Sequence, residues 1–238
     1  MSQTLHFLND SSLAFPDLSH ALSEPNGLLA LGGDLSVPRL QSAYQHGIFP
    51  WYSDSEPIMW WSPDPRAIIP TSNVRINKTL RKFLRKSPYT VTINQAFKDV
   101  INLCADAPFR QEDTWIVNDM IQAYIALNKS GIAHSIEVWQ DNLLVGGLYG
   151  VAINGFFSGE SMFYRASNAS KLALIALAEL LKESGIKFID CQITNPFLED
   201  MGAIEISRAE FLTFKDSALK IQLPDNFWRP RQLYLPYD

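Results

Sequence analysis

The feature that most restricts the fold is a run of three β-rich segments within residues 134–164. The pair Asp141-Asn142 separates the first segment from the second, and Asn154-Gly155 separates the second from the third. Asn, Asp and Gly tolerate the left-handed backbone conformations that tight hairpin turns require. The run therefore predicts three consecutive antiparallel strands.

A helix and a further strand follow this run. Apolar residues recur at helical spacing over residues 170–184, and Gly185 ends the pattern. The segment KFIDCQI at 187–193 has the composition of a strand. A strand, a turn, a helix and a second strand also form the core of the acyltransferase-type (GNAT) fold, in which two neighbouring strands splay apart and seat the acyl donor.

Other helices and strands are indicated on both sides of this core. Capping residues, glycine stops and helical spacing place their boundaries. Together with the hairpins they predict the α+β class. The predicted elements are a helix from Ser36 to Gly47, a basic helix at 75–87, a strand at 89–93, a helix capped by Asn94, a helix from Asn118 to Gly131, and a last helix with the capping box Ser207–Glu210.

The segment 47–66 differs from the rest because it holds three tryptophans and four prolines within twenty residues. Proline removes a backbone donor and restricts the residue before it, so a long helix or a central strand is not expected here. We predict a rigid, aromatic-lined loop that closes a small N-terminal domain. The predicted domains are residues 1–62 and residues 63–238.

The composition is that of an ordinary globular protein, with 47% hydrophobic and 19% charged residues. No apolar run reaches the roughly 20 residues that span a bilayer, and the first ten residues lack the features of a secretory signal. Two distant cysteines, Cys104 and Cys191, do not suggest a disulfide framework. We therefore expect a cytoplasmic protein without a membrane partner.

Six short strings occur in an order that resembles the leucyl/phenylalanyl-tRNA–protein transferase family. The resemblance extends from about Phe15 to Pro230. It implies a small N-terminal α+β domain followed by a GNAT-like domain, with a mixed, mainly antiparallel sheet flanked by helices. The strings are EPNGLLALGGDLS (24–36), GIFPWYS (47–53), WWSPDPR (60–66), GESMF (159–163), SNASK (167–171) and IDCQ (189–192).

The resemblance also implies the reaction. Members of the family move leucine, phenylalanine or methionine from charged tRNA to the N-terminal amino group of proteins that begin with Arg or Lys. The added residue marks the acceptor for degradation by the N-end rule. Because the ester of aminoacyl-tRNA is already activated, we expect no cofactor and no metal, and the four histidines lack metal-ligand spacing.

Asp190 and Gln192 are the candidate catalytic residues. Residues two apart in a strand share a face, so both side chains can point into one cleft. A carboxylate near the glutamine can orient its amide, whose oxygen then accepts a hydrogen bond from the attacking amine; the resemblance implies this relay as well. The alternative is that Asp190 caps the strand end and Gln192 is an ordinary polar residue.

Glu160 is an acidic residue within a β run of bulky apolar residues, where burial without a partner is costly. One interpretation is that it binds the Arg or Lys side chain, or the ammonium group, at the acceptor's N-terminus. The alternative is an internal salt bridge to Arg165 or Lys171. Both interpretations stay open at this point.

The donor requires an apolar pocket and a surface for its terminal adenosine. Tyr124, Leu148, Phe157 and Leu174 correspond to pocket positions in the family, although each is also compatible with a plain core position. Aromatic side chains stack on unpaired bases, with roughly 1–3 kcal/mol for each base. The candidate stacking residues are Trp51 and Trp115, and Tyr44 could join them from the short N-terminal helix.

A cluster of cations within residues 75–86 is the candidate site for the tRNA backbone. It contains no acidic residue, although the whole chain carries a net charge of −5. Such a cluster is often only a solvated helix face, but the asymmetry favours phosphate binding. The residues are Arg75, Lys78, Arg81, Lys82, Arg85 and Lys86.

Two alternative functions compete with aminoacyl transfer. A CoA-dependent N-acyltransferase would have the same fold, but the turn RASNASK at 165–171 lacks the glycines that cradle a pyrophosphate. A non-catalytic tRNA-binding adaptor would explain the cations and the tryptophans. It would not explain the polar pair Asp190 and Gln192 on a core strand.

Overall fold

The computed structural model describes residues 5–9, 11–106 and 116–235. Its helices confirm most of the predicted ones and add a short one near the C-terminal side of the core. They are α1 (Val37–Gln45), α2 (Lys78–Leu84), α3 (Phe97–Ala105), α4 (Asn118–Lys129), α5 (Ala169–Glu183), α6 (Pro196–Met201) and α7 (Arg208–Ala218). Within these ranges, no helix has both the length and the apolar character needed to cross a bilayer.

A small sheet is built from the N-terminal part of the chain. Its strands are β1 (His6–Leu8), β2 (Leu28–Gly32), β3 (Phe49–Pro50) and β4 (Met59–Trp61), in the spatial order β1-β2-β4-β3. The first pair is parallel and the other two pairs are antiparallel.

A large sheet is built from the rest of the chain, in the order β11-β5-β10-β9-β8-β7-β6-β12. All its pairs are antiparallel except β9 with β10. This mixed, mainly antiparallel sheet flanked by helices confirms the predicted α+β class. The strands are β5 (Arg66–Pro70), β6 (Thr90–Ile93), β7 (Ala133–Gln140), β8 (Leu143–Ile153), β9 (Phe156–Tyr164), β10 (Phe188–Gln192), β11 (Ile204–Ile206) and β12 (Arg231–Leu233).

The parallel pair β9 and β10 of the large sheet positions the candidate site. β9 and β10 are paired only at Ser158 and Asp190. Beyond this point β9 continues along β8, whereas β10 ends at Gln192. The two strands therefore separate in the splayed manner that the resemblance to a GNAT-like domain implied.

The predicted hairpins are confirmed. Asp141 and Asn142 have φ values of 48° and 65°, and Asn154 has 51°. These left-handed conformations turn the chain tightly between β7, β8 and β9, as their residue types allow.

Most predicted helix boundaries are also confirmed. Ser36 precedes α1, and the side chain of Ser207 accepts a hydrogen bond from the Glu210 amide at the start of α7. The prediction that Asn94 caps a helix is wrong, because α3 begins at Phe97 after Ala96. Asn94 instead accepts a hydrogen bond from the Ser135 amide and donates one to the Trp228 carbonyl.

The segment 47–66 is not only a loop. It contributes β3 and β4, and β4 lies between β2 and β3 rather than at an edge. The expectation from proline content failed because Met59–Trp61 contains no proline, while Pro50 lies in the edge strand β3. Trp60 is fully buried and donates from Nε1 to the Gly32 carbonyl at 2.8 Å.

Helices cover both faces of the large sheet. One core contains residues of α3 and α4 and extends without a break into the small sheet and α1. The other contains α5, which packs on the opposite face together with residues of α2 and α6. The predicted division at residues 62 and 63 falls between β4 and β5, and it stays a prediction because the first core includes residues from both sides.

Candidate active site

A cavity of about 630 Å³ lies where β9 and β10 separate. It is lined by the second half of β9, the end of β10, the first turns of α5 and the beginning of α6. Residues 49–51, which comprise β3 of the small sheet and the residue after it, also line the cavity. Residues distant in sequence therefore meet around one space that is open to solvent.

One wall of this cavity is apolar. Leu148 and Leu174, both predicted pocket residues, line this wall, with exposures of 3% and 2%. The other apolar residues at this wall are Met162, Leu177, Ile189, Phe197 and Leu198.

Phe157 was predicted for the same pocket, but the structure places it elsewhere. Its ring is buried in the core around α5 and lies 5.7 Å from the ring of Trp228. The position does not fit a direct contact with the donor, because the cavity begins further along β9, at Gly159.

Trp51 lies at the mouth of the cavity, and 40% of its surface is exposed. Its carbonyl accepts a hydrogen bond from Nε1 of Trp61 at 2.7 Å, and the two ring centroids are 5.6 Å apart. The neighbouring tryptophan thus supports Trp51 while leaving part of its ring free to meet a flat ligand. Trp115, the second predicted stacking residue, lies outside the described residues.

Tyr44 and Tyr124 form a buried pair between α1 and α4. Tyr44 is 1% exposed and Tyr124 is 0% exposed, and their hydroxyl groups are hydrogen-bonded to each other. The positions do not fit the predictions that Tyr44 stacks on a base and that Tyr124 lines the pocket. The Tyr124 hydroxyl instead donates to Oε2 of Glu160 at 3.0 Å.

Glu160 is one of the residues that line the cavity. Its second oxygen, Oε1, is buried and has no hydrogen-bond partner in the described part of the chain. Burial raises the pKa of Glu160 to about 7, against the lowering effect of the tyrosine hydroxyls. Among the described ion pairs, none joins Glu160 to Arg165 or Lys171, so the internal salt bridge is not supported.

Asp190 lies behind the cavity wall rather than in it. The side chain is fully buried and accepts two hydrogen bonds from Arg66, which is 1% exposed. The Arg66 guanidinium also lies over the rings of Phe49 and Phe211, at 4.9 Å and 4.4 Å. The sequence analysis missed this arginine, although it ends the string WWSPDPR at 60–66.

Gln192 reaches the cavity by a departure from regular strand geometry. The pairing of β10 with β5 shifts between Asp190 and Gln192, and Gln192 has φ of 57°. Such a bulge redirects a side chain. As a result Cys191 and Gln192 both line the cavity, whereas Asp190 does not, contrary to the simple alternation that was predicted.

Asp190 and Gln192 are nevertheless connected by hydrogen bonds in two ways, one direct and one through Ser158. The backbone amide of Gln192 donates to Oδ1 of Asp190 at 3.2 Å. The side-chain amide of Gln192 donates from Nε2 to Oγ of Ser158 at 2.6 Å, and Ser158 donates to Oδ2 of Asp190 at 2.9 Å. Ser158 is thus a second residue that the sequence analysis missed.

The predicted cation cluster surrounds α2 and faces solvent. All six members are exposed, and none takes part in an ion pair in the described part of the chain: Arg75, Lys78, Arg81, Lys82, Arg85 and Lys86. Arg75 adjoins α6, because its amide donates to the Met201 carbonyl and its guanidinium to the Glu199 carbonyl. Since the first turn of α6 lines the cavity, one short helix separates the cluster from the site.

Among the described residues, no group of three or more His, Cys, Asp and Glu side chains is arranged to hold a metal ion. Burial raises the pKa of Cys191, so its thiol stays protonated near neutral pH. Besides its apolar surface, the cavity is lined by residues that carry amide, carboxyl, hydroxyl and aromatic groups.

Comparison with known proteins identifies the family. Residues 68–216 match the model of the leucyl/phenylalanyl-tRNA protein transferase family, and residues 33–64 match that of its N-terminal domain. A leucyl/phenylalanyl-tRNA–protein transferase from Colwellia psychrerythraea is 62% identical, over 98% of this chain and 99% of the relative. One from Pseudoalteromonas atlantica is 55% identical, over 97% of this chain and 98% of the relative.

Similarity to solved structures is distant. A GCN5-related N-acetyltransferase-like protein from Streptococcus suis has a TM-score of 0.35 and 8% identity, over 70% of this chain and 62% of that protein. The family models and the sequence relatives, not the solved structures, show the family. The chain belongs to the leucyl/phenylalanyl-tRNA protein transferase family, and it is an aminoacyltransferase.

Proposed function

We propose that this chain transfers leucine, phenylalanine or methionine from aminoacyl-tRNA to the N-terminal amino group of proteins that begin with Arg or Lys. The added residue marks the acceptor for N-end-rule degradation, and the reaction takes place in the cytoplasm. The observation that carries the proposal is the cavity between β9 and β10, where an apolar wall, Trp51, Glu160 and Gln192 meet.

The apolar wall supports an aminoacyl donor with an apolar side chain. Leu148, Leu174 and Leu177 present methyl groups and no charged group to the side chain of the donor amino acid. Such a pocket separates similar apolar side chains by only about 1–3 kcal/mol. Acceptance of leucine, phenylalanine and methionine by one site fits this limit.

Trp51 supports recognition of the terminal adenosine. Base stacking on an aromatic ring contributes roughly 1–3 kcal/mol and does not need a base-specific hydrogen bond. Because the ring is at the cavity mouth, a stacked adenosine would leave its ester directed toward the interior, where the aminoacyl side chain meets the apolar wall.

Glu160 supports recognition of a cationic acceptor. Its unpartnered Oε1 is a buried acceptor that an Arg or Lys side chain, or the ammonium group, would satisfy. A cation would also lower the pKa of this carboxyl from its raised value, since an opposite charge favours the ionised form. The acceptor would thus stabilise the charge that burial disfavours.

The chemistry joins the acceptor nitrogen to the ester carbonyl carbon. The carbon–oxygen bond to the terminal ribose breaks, the amine loses one proton, and the released ribose hydroxyl gains one. Gln192 holds the amine by a hydrogen bond in line with the carbonyl, and correct placement of reactants can contribute roughly 7–11 kcal/mol. Asp190 acts from behind the wall as a positioning residue.

The cation cluster around α2 supports binding of the tRNA body. Its exposed side chains carry no carboxylate partner in the described residues, so they are available for phosphates. Its proximity to α6 allows one tRNA to contact the cluster while its 3′ end enters the cavity.

Transfer of radiolabelled leucine from charged tRNA to an Arg-initiated peptide tests the function. We expect transfer without added acyl-CoA, together with a much slower reaction for the same peptide beginning with Glu. A tRNA-binding adaptor would retain the tRNA on a filter and leave the peptide unlabelled. A CoA-dependent acyltransferase would label the peptide only from acyl-CoA.

A further inference from the structure

We propose that Ser158 is a positioning residue whose hydroxyl group fixes the direction of the Gln192 side-chain amide. The inference rests on the proposed function, because the catalytic consequence concerns the acceptor amine. It assigns a task to a residue that would otherwise count as part of a core strand.

The hydrogen-bond roles follow from the number of protons that are present. A serine hydroxyl has one proton, and Ser158 donates it to Oδ2 of Asp190 at 2.9 Å. The carboxyl group of Asp190 does not donate in return, because both of its oxygens already accept hydrogen bonds from Arg66. Ser158 can therefore only accept from a third group.

The third group is Gln192, at 2.6 Å from the Ser158 oxygen. The Ser158 oxygen has no second proton to donate. Of the two ends of the Gln192 amide, only the nitrogen carries protons, so only the nitrogen can form this hydrogen bond. Nε2 must face Ser158, and the carbonyl oxygen Oε1 is left for the cavity. A flipped amide would set two acceptors against each other in a buried place, at a cost of about 1–3 kcal/mol.

The position of Ser158 makes this arrangement rigid. Its side chain is fully buried, and its backbone pairs with Val151 on one side and with Asp190 on the other. It is the only residue of β9 that pairs with β10 within the described residues. The hydroxyl is thus held at the point where the two strands begin to separate, and water does not compete for its bonds.

The consequence is a defined role for Gln192. With Oε1 toward the cavity, this side chain accepts a hydrogen bond from the acceptor amine. The opposite direction would present an amide donor, which suits an oxyanion and repels the protons of the amine. Ser158 therefore selects which of the two chemical functions the glutamine performs.

Variants at position 158, made with Gln192 intact and with Gln192→Ala, test the proposal. We expect Ser158→Ala to lower kcat for leucine transfer about tenfold, with little change in the KM for Leu-tRNA. Ser158→Cys keeps a weaker donor and acceptor of similar shape, so it should restore part of the rate. In the Gln192→Ala background, Ser158→Ala should cause no further loss, because the group it positions is gone.

The matched control is Ser135→Ala, which removes another buried hydroxyl that donates to a carboxylate, that of Glu137. It should lower the thermal midpoint comparably and leave kcat unchanged. A kcat for Ser158→Ala equal to that of the unmodified chain would overturn the proposal. A tenfold loss that persists in the Gln192→Ala background would also overturn it.

A measurement independent of activity separates this inference from the proposed function. In NMR spectra of labelled protein, a side-chain amide proton of Gln192 should exchange slowly, and Ser158→Ala should abolish the protection. Unprotected protons in the unmodified chain would refute the role of Ser158 even if transfer occurs. Absence of leucine transfer with protection intact would instead refute the proposed function.

Discussion

Arg66 donates two parallel hydrogen bonds to Asp190, from Nε to Oδ1 at 2.8 Å and from Nη2 to Oδ2 at 2.7 Å. Both side chains are almost completely buried, and 124 residues separate them in sequence. Two buried charges are tolerated when the geometry is good and the remaining polar atoms are satisfied. Ser158 and the Gln192 amide complete the shell around Asp190.

Removal of one partner should therefore damage both stability and turnover. We expect Asp190→Ala to lower the free energy of unfolding by about 3–5 kcal/mol, because it leaves the Arg66 charge buried and unpaired. It should also lower kcat far more than affinity for tRNA, since Asp190 holds the residues at the cavity. Urea denaturation, steady-state rates and tRNA filter binding measure the three quantities.

The double variant Arg66→Met with Asp190→Leu separates the two effects. It replaces the ion pair with apolar side chains, which often restores stability. We expect a free energy of unfolding near that of the unmodified chain, while leucine transfer stays low. Recovery of full activity in the double variant would contradict a role for Asp190 in arranging Gln192.

The raised pKa of Glu160 predicts a pH dependence for cationic acceptors. Below pH 7 the free carboxyl is protonated and neutral; above pH 7 it is ionised and attracts an Arg side chain. The kcat/KM for an Arg-initiated peptide should therefore rise with pH through about 7. Rates measured between pH 5.5 and 8.5 test this prediction.

Glu160→Gln is the control, because the α-amino group of the peptide itself ionises at about pH 8. For this variant, kcat/KM should still rise near pH 8 but should no longer rise near pH 7. The variant should also no longer prefer Arg over the neutral analogue citrulline. Stability should also change. The carboxyl binds its proton more tightly in the folded chain, so folding stability falls as pH rises from 4.5 to about 7, and Glu160→Gln should be relatively more stable at pH 8.

For the cation cluster we expect the reverse of the Asp190→Ala result, with a larger effect on tRNA binding than on kcat. We expect Arg81→Glu with Lys82→Glu to weaken tRNA binding and to reduce the slope of log K against log salt by about 2. The kcat at saturating Leu-tRNA should change little, because α2 does not reach the cavity lining. Binding measured across a salt series tests both statements.

Lys98→Glu with Lys129→Glu is a matched control for this charge change. Both lysines are exposed and belong to α3 and α4, outside the cluster. If they weaken tRNA binding as much as the α2 reversals, the local assignment of the tRNA site is wrong and the net charge explains the effect.

The position of Trp51 predicts that its removal weakens binding of the aminoacyl donor and leaves binding of the acceptor peptide unchanged. Trp51→Ala should weaken binding of a short aminoacyl-adenosine analogue by about tenfold, within the roughly 1–3 kcal/mol of one base stack. Trp51→Phe keeps a smaller ring and should lose less. The acceptor KM should not move. A change in the acceptor KM with unaltered donor binding would assign Trp51 to the peptide instead.

Local residue patterns determined most of the elements that frame the site. Two turns, at Asp141-Asn142 and Asn154-Gly155, and the helix that ends before Gly185 are examples. They depend on interactions between residues only a few positions apart, so the local sequence is enough to predict them. The family strings then identified Gln192, Glu160 and Trp51 as residues of one site, and the structure brings these three to the same cavity.

Short elements held by distant neighbours were not predictable in this way. The strands β5 and β11 each contain five residues or fewer and pair with strands far away in sequence. Their residues carry no period long enough to distinguish a strand from a loop. The inner position of β4 likewise depends on pairing with β2 and β3, which proline content does not reveal.

The sequence by itself determined the fold class, the family and the candidates Gln192, Glu160 and Trp51, but not the parts that Arg66 and Ser158 play. Only the tertiary structure decided which groups face the cavity: a bulge turns Gln192 into it, whereas ion pairing with Arg66 holds Asp190 behind it. Likewise, Tyr44 and Tyr124 are buried away from the cavity, and Tyr124 is hydrogen-bonded to both Tyr44 and Glu160. The physical reason is that backbone propensity acts over a few residues, while burial and charge pairing depend on atoms that only folding brings together.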